Sequence, residues 1–314
     1  VKKIIVTGGT GFIGRYVVEE LHRNGYHVIQ FDRHKRDLES IETNGPVDLF
    51  VGDVMNNRDV TEAFAHGHAF VHLAAVLGTQ ETIANPIPAA ESNLLGGLNV
   101  LQAAAQYEVP GVYIGVGNHW MNNTYSITKT MIERFVDMYN NDRGTCVNIV
   151  RAMNAYGPRQ IPAEPYGPAK VRKITPAFAC RALSGIPVEV YGDGLQVSDM
   201  IHVRDVATAL VLAMECAMLG KRLEKVVEIG PVDNSSVNEV AKLIIEIAGS
   251  EVPIKHLPMR PGEIPGSTVC ADTDTLAQID MDPACLIPLE DGMTETVEYF
   301  RNYLQETGYS NHEQ

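Results

Sequence analysis

The sequence predicts an α/β fold, a doubly wound parallel sheet with a smaller C-terminal α/β lobe. Three observations predict it. Up to Arg151, short apolar runs alternate with segments of helical periodicity. The runs are apolar nearly throughout, as expected of parallel strands covered on both faces. After Arg151 the texture changes to a stretch, Asn154 to Gly167, rich in Pro, Gly and Tyr.

Lys3 to Thr7 reads as the first strand, and 12–23 as a helix through Ile13, Val17, Val18 and Leu21. Tyr26 to Asp32 reads as a second strand, which gives a strand–helix–strand unit of crossover size. Further strands are predicted over 47–51, Ala69 to Leu73, Val109 to Val116 and Cys146 to Arg151. A helix over roughly 89–107 follows Pro86 and Pro88. Another runs from Tyr125 to about Asn140, with Ile127, Met131, Ile132, Phe135, Val136 and Tyr139 at helical spacing. Beyond it, a helix is expected near 172–184, a strand over 188–191, a helix over 204–218 and a strand over 225–229. Segments 235–248, 253–256 and 267–280, with a closing helix over 293–305, complete the second lobe. The expected division is 1–153 with returning segments about 198–230, against 154–197 with 231–314.

The 314 residues are enough for a substantial core. With 45% hydrophobic and 20% charged residues the chain is not generally disordered. Against 39 acidic residues stand 25 basic ones, without a Lys/Arg block, so a nucleic-acid backbone is not an expected partner. Five scattered cysteines without CxxC spacing point to a reducing, cytoplasmic setting and to no structural metal. The chain opens on a core-type strand, from which no signal peptide is expected, and no apolar run is long enough to cross a bilayer.

Gly8, Gly11 and Gly14 follow the first strand and open the first helix, with Phe12 and Ile13 among them. A tight turn, close approach to a pyrophosphate and close helix packing each exclude a side chain. The helix N-terminus adds N–H donors and a favourable dipole. Asp32 stands 18 residues beyond Gly14, and its carboxylate suits the ribose hydroxyls of NAD while repelling a 2′-phosphate. Arg33 and His34 are the side chains that would tolerate NADP instead.

Tyr125 and Lys129 lie one helical turn apart on one face. A tyrosine with a reference pKa of about 10 is a poor base at neutral pH. A lysine ammonium nearby, joined by a positive nicotinamide, favours the phenolate. Lys129 would also hold the nicotinamide ribose.

These motifs, with others in order along almost the whole chain, resemble the extended short-chain dehydrogenase/reductase family, in its nucleotide-sugar epimerase and dehydratase branch. The others are Gly52-Asp53-Val54, His72-Leu73-Ala74-Ala75, Arg151 to Arg159, Tyr191 to Gly194, Asp199 to Asp205 and Arg260 to Glu263. The resemblance implies a Rossmann-like fold, with Asp53 and Val54 at adenine, and Leu73, Ala74 and Ala75 beside the cofactor. It also implies Tyr125 and Lys129 as the catalytic pair, and Asn154 and Arg260 as substrate contacts. The helices 89–107 and 125–141 would form a homodimer contact.

Two departures stand out. The family places Ser or Thr at the end of the fifth strand, where this chain reads Tyr113-Ile-Gly-Val-Gly-Asn-His-Trp120 before a short loop. Thr124 adjoins the catalytic tyrosine and should point elsewhere. Asn118 or His119 is the candidate replacement donor, Asn118 preferred because an amide needs no particular protonation state; a loop that packs on Trp120, or a water, is the alternative. Ser198 replaces an arginine that similar enzymes aim at the substrate diphosphate, and serine lacks a guanidinium fork. Arg159, Lys170, Arg172 and Lys173 are the cations near enough in sequence to compensate.

The loop Gly117 to Asn123 has no Asp or Glu, which weighs against a dehydratase unless Glu81 or Glu164 approaches from elsewhere. The reading is an NAD-dependent 4-epimerase of an NDP-sugar, a UDP-hexose or UDP-uronate. A dehydratase, decarboxylase or keto-sugar reductase is the alternative, and a catalytically weak nucleotide-binding protein a third.

Overall fold

The structure, a computed structural model, describes residues 1–33, 45–163, 165–166 and 173–307; His34, Glu164, Lys170 and Arg172 lie outside them. The chain opens with β1 (Lys3–Thr7), α1 (Phe12–Arg23), β2 (His27–Asp32), β3 (Val47–Val51), α2 (Asn57–Phe64) and β4 (Ala69–His72). Helices α3 (Thr79–Ala84), α4 (Pro86–Ala90) and α5 (Gly96–Tyr107) follow, a π-helical turn Glu91–Leu95 joining the last two. Then come β5 (Gly111–Val116), α6 (Thr124–Asp142), β6 (Val147–Ala152) and β7 (Asn154–Tyr156). The second half holds α7 (Ile174–Leu183), β8 (Val188–Tyr191), β9 (Val197–Ser198), β10 (Met200–His202), α8 (Val203–Met218) and β11 (Val227–Ile229). It ends with α9 (Val237–Ile247), β12 (Ile254–Leu257), β13 (Thr268–Val269) and α10 (Leu289–Thr307).

Seven strands form one sheet in the order β11-β6-β5-β4-β1-β2-β3, and every pairing in it is parallel. The chain builds outward from β1 through β2 to β3, then restarts at β4 on the other side of β1. That reversal opens a crevice at the carboxyl ends of β1 and β4. Alternate residues face opposite helical layers. Ile4, Val6, Val28, Val112 and Val150 share a core with α1 and α8, whereas Ile5, Ile29, Phe70, Tyr113 and Val147 pack with α2, α5 and α6. Each such side chain, fully buried, contributes roughly 1.5–3 kcal/mol, so a sheet covered on both sides has every reason to be apolar along its length.

Register sets the floor of the site. Thr7 pairs with His72, and His72 with Tyr113, so the three side chains stand in one row on the α6 side. The second lobe has its own core, with Phe178, Val188, Val190, Val240, Ile244, Met293 and Phe300 beneath α7, α9 and α10. Helix α9 starts on a capping box between Ser236 and Glu239. Three short parallel pairs lie outside the seven-stranded sheet, β7 with β10, β8 with β12 and β9 with β13.

One predicted element differs. In place of a helix over 89–107, the chain turns helical already at Pro86, passes through the π-helical turn and resumes at Gly96. Pro86 and Pro88 fall in the first turn, where missing N–H groups break no intrahelical bond, so they begin this helix rather than precede it. Among the described residues no helix is long and apolar enough to cross a membrane, and no group of three or more His, Cys, Asp or Glu is placed to hold a metal ion. All five cysteines are free.

Candidate active site

A cavity of about 660 Å³ runs across the carboxyl ends of the strands and under the second lobe. Its first wall is the turn between β1 and α1, lined by Gly8, Gly11, Phe12, Ile13 and Gly14. Gly8 has φ +71°, and a Cβ there would lie 2.9 Å from the Ala74 nitrogen. A Cβ on Gly14 would run into the Gly8 carbonyl oxygen. The turn therefore folds on itself without side chains. Gly11 caps α1 with no side-chain hydrogen bond, which leaves the helix's first N–H groups for a ligand. These features fit the pyrophosphate of a dinucleotide.

At the end of β2, Asp32 Oδ2 accepts hydrogen bonds from Thr10 Oγ1 at 2.6 Å and from the Thr10 amide at 3.2 Å. Asp32, Arg33 and Val54 line the same cavity, as do Leu73, Ala74 and Ala75 past β4. Asp53 does not. Its Oδ1 accepts the Met55 N–H at 2.9 Å, and its Oδ2 lies 3.8 Å from Arg33 Nη1, so the carboxylate closes its own turn.

Tyr125 and Lys129 line the cavity from the first two turns of α6. Asn123 caps that helix, its side chain accepting the Ser126 N–H at 2.9 Å, an interaction worth typically ~1 kcal/mol. Lys129 is buried, and its ammonium lies 4.1 Å from the centre of the Tyr113 ring. Burial draws the Lys129 ammonium down to about 7, opposed by the negative charge of Glu133. Burial also pushes the Tyr125 phenol up to about 12. Desolvation governs both groups, and the ammonium rests on the Tyr113 ring.

Residues 4–230 match the NAD dependent epimerase/dehydratase family. The chain belongs to that family. It is 28% identical to the UDP-N-acetyl-alpha-D-glucosaminuronate decarboxylase of Bacillus cytotoxicus, over 96% of this chain and 98% of the relative. The solved UDP-glucose 4-epimerase of Thermotoga maritima, with UDP-glucose, superposes with a TM-score of 0.84 at 29% identity, over 96% of this chain and 99% of that one. The UDP-glucose 4-epimerase of Thermus thermophilus, in complex with NAD, gives 0.80 at 29% identity, over 95% and 99%.

In this member of the NAD dependent epimerase/dehydratase family the end of β5 lacks the hydroxyl residue. Gly117 packs so tightly that a Cβ would meet the Met153 sulfur. Asn118 lines the cavity instead, its Oδ1 accepting from Ser126 Oγ at 3.1 Å, which turns the amide nitrogen toward Met121. His119 points elsewhere. Its Nε2 lies 3.5 Å from Arg151 Nη1 and its Nδ1 3.3 Å from the Gly117 carbonyl, on the side of the charged residues behind β5.

On the substrate side, Asn154 and Arg260 both line the cavity. Asn154 Nδ2 donates to Ser198 Oγ, so the residue at the missing arginine's position orients the asparagine. Arg260 is paired with Glu263 and stacks over Tyr191, its centre 4.8 Å from the ring. Its Nε is buried and has no hydrogen-bond partner among the described residues. Arg159 is not in the wall; its guanidinium is paired with Glu19 on α1 and stacks on Tyr16 at 5.5 Å. Lys173 does line the cavity, with Glu81 and Arg260 as the charges acting on it, and so does Glu81.

The sequence reading gave no role to Glu133, Arg151 or Glu228. The signal was present: a glutamate four residues after Lys129, and an arginine inside the apolar run of β6.

Proposed function

We propose that this chain is an NAD-dependent NDP-sugar 4-epimerase, acting on a UDP-hexose or UDP-uronate through a 4-keto sugar. The observation that carries the reading is the meeting, in one cavity, of the glycine turn, Asp32, Tyr125, Lys129 and Arg260. In this reading residues 1–153, with the returning 198–230, bind NAD, and 154–197 with 231–314 bind the sugar nucleotide. Gly8, Gly11 and Gly14 receive the pyrophosphate, and Asp32 the adenosine ribose. When bound, NAD supplies the acceptor, and then the donor, of hydride.

Tyr125 takes the proton from the sugar hydroxyl and returns it. Because burial alone holds that phenol near about 12, the phenolate needs positive charge beside it, and Lys129 is the side chain one turn away that supplies it. Asn118 lines the cavity where the family has a hydroxyl, and its amide nitrogen has to leave the Met121 sulfur to donate to the sugar. Arg260 and Lys173 balance the diphosphate, since Ser198 carries no charge. An exposed apolar stripe of Ile127, Met131 and Met138 on α6, beside Ile87 and Leu95, supports a homodimer.

A second reading rests on Glu81. As a carboxylate in the cavity wall, it supplies the acid–base group that a dehydratase or decarboxylase needs beyond Tyr125. NMR of the protein with a panel of NDP-hexoses and NDP-uronic acids, with and without NAD, separates the readings. Equilibration of C4 epimers is expected. A deoxy-keto or decarboxylated product would move the assignment to the second reading, and no conversion across the panel would overturn both.

A further inference from the structure

Behind the wall that carries Tyr125 and Lys129, four charged side chains form a file across the sheet. Lys129 on α6 is the first. Glu133, one turn further along α6, is 4% exposed. Its carboxylate receives Arg151 of β6 through Nη2 at 2.6 Å and through Nε at 3.1 and 3.2 Å. Arg151 Nη1 then reaches Glu228 Oε1 on β11 at 3.2 Å. The signs alternate, plus, minus, plus, minus, and sum to zero.

The backbone is shaped to let the file through. It crosses β5 at Gly115, where a Cβ would run into Glu133 Oε1 and lie 2.8 Å from Arg151 Cγ. A buried ion pair is weak evidence of stability, since apolar residues of similar volume often serve as well. Its presence here asks for another reason, and Lys129 supplies one. The groups facing that ammonium are Tyr113 from β5 and His72 from β4, both neutral near pH 7. Glu133 is the carboxylate that acts on it, with Arg151, Glu228 and the ring of His119 behind.

We infer that Glu133 is a positioning residue whose carboxylate, held by Arg151, supplies the counter-charge that keeps the Lys129 ammonium protonated at the cavity wall, while Glu228 sets how much of that counter-charge Arg151 neutralises. This rests on the reading of Lys129 as the working cation, but the two can fail separately.

The test is a ¹³C NMR titration of ligand-free protein labelled at lysine Cε, with Lys129 assigned by its loss in Lys129→Met. Glu133→Gln should lower the Lys129 midpoint by about one pH unit or more. Glu228→Gln should lower it by less, because Arg151 then neutralises Glu133 more fully. Arg151→Met should raise it. Opposite signs for Glu133→Gln and Arg151→Met are what an electrostatic file requires; a shared direction, or an unmoved midpoint in both glutamine variants, overturns the inference. Should Arg151→Met fail to fold, the two glutamine variants decide. With turnover as a second readout, the alkaline limb of the rate profile, where the ammonium loses its proton, should move in Glu133→Gln with the NMR midpoint. A midpoint that moves in a protein converting no nucleotide sugar upholds the file and removes only the proposed reaction.

Discussion

Thr7 Oγ1 and His72 Nδ1 lie 2.6 Å apart in the floor of the site, and their neighbours fix which of them donates. Thr7 Oγ1 also accepts the N–H groups of Leu73 at 3.1 Å and Ala74 at 3.3 Å. Both acceptor positions of the hydroxyl are thus used, and its proton goes to His72 Nδ1. The imidazole is neutral, with its own proton on Nε2.

Acid should therefore unfold the protein through His72. Burial, helped by the Lys129 charge, pushes this histidine down to about 3 from 6.5. Between those values the unfolded chain binds the extra proton and the folded one does not, so stability falls as pH drops through the window. His202, lowered to about 4, acts in the same direction, and Asp205, raised to about 6, opposes it. His72→Asn keeps an acceptor for Thr7 and removes the titration. The slope of melting temperature against pH below 6.5 should flatten in that variant; an unchanged slope would refute the assignment.

Tyr125→Phe should reduce turnover by ~10²–10⁴-fold, the usual contribution of a positioned acid–base group. The phenol makes no side-chain hydrogen bond among the described residues, so chemical denaturation should shift by less than about 0.5 kcal/mol. Turnover that survives the substitution would remove Tyr125 from the chemistry.

Lys173 offers a direct check on how this chain manages without the arginine at Ser198. Lys173→Met should weaken UDP, measured by calorimetry, by ~10-fold, about 1.4 kcal/mol. Adding Ser198→Arg should recover most of that loss. Unchanged UDP affinity in the single variant would put the diphosphate elsewhere.

Met131, 41% exposed in the apolar stripe of α6, should be covered by a second copy of the chain. Light scattering after gel filtration is expected to give twice the chain mass for the parent and the monomer mass for Met131→Glu. A monomeric parent would end the homodimer reading.

Much of this was legible in the sequence because parallel strands buried on both faces leave apolar runs, as Ala69–His72 does; Val47–Val51 and Val188–Tyr191, which hold Asp48 and Glu189 and are only partly buried, were legible from their β-branched and aromatic residues instead. The glycine turn was legible because backbone crowding admits few residue types. The break of α4 and α5 was not, since a π-helical turn changes which face a residue joins without changing composition. Arg159 read as a substrate cation from its neighbourhood in sequence, but Glu19, from a helix far earlier in the chain, captures it. The Glu133–Arg151–Glu228 file was half hidden for the same reason: Arg151 stands out inside its apolar run, but Glu133 and Glu228 look like surface charges until the sheet brings three elements together.

The strand β11 has a consequence for synthesis. Val227–Ile229 pairs with the outer edge of β6 at Val150–Ala152, and arrives after the chain has left for the second lobe and returned. Until then, a ribosome-bound chain ending past Tyr156 presents Val150–Ala152 as an unpaired edge, the kind that recruits other chains. A fragment ending there should aggregate, whereas one that extends through Ile229 should not, and the growing protein has reason to keep a chaperone at that edge while the intervening residues are made.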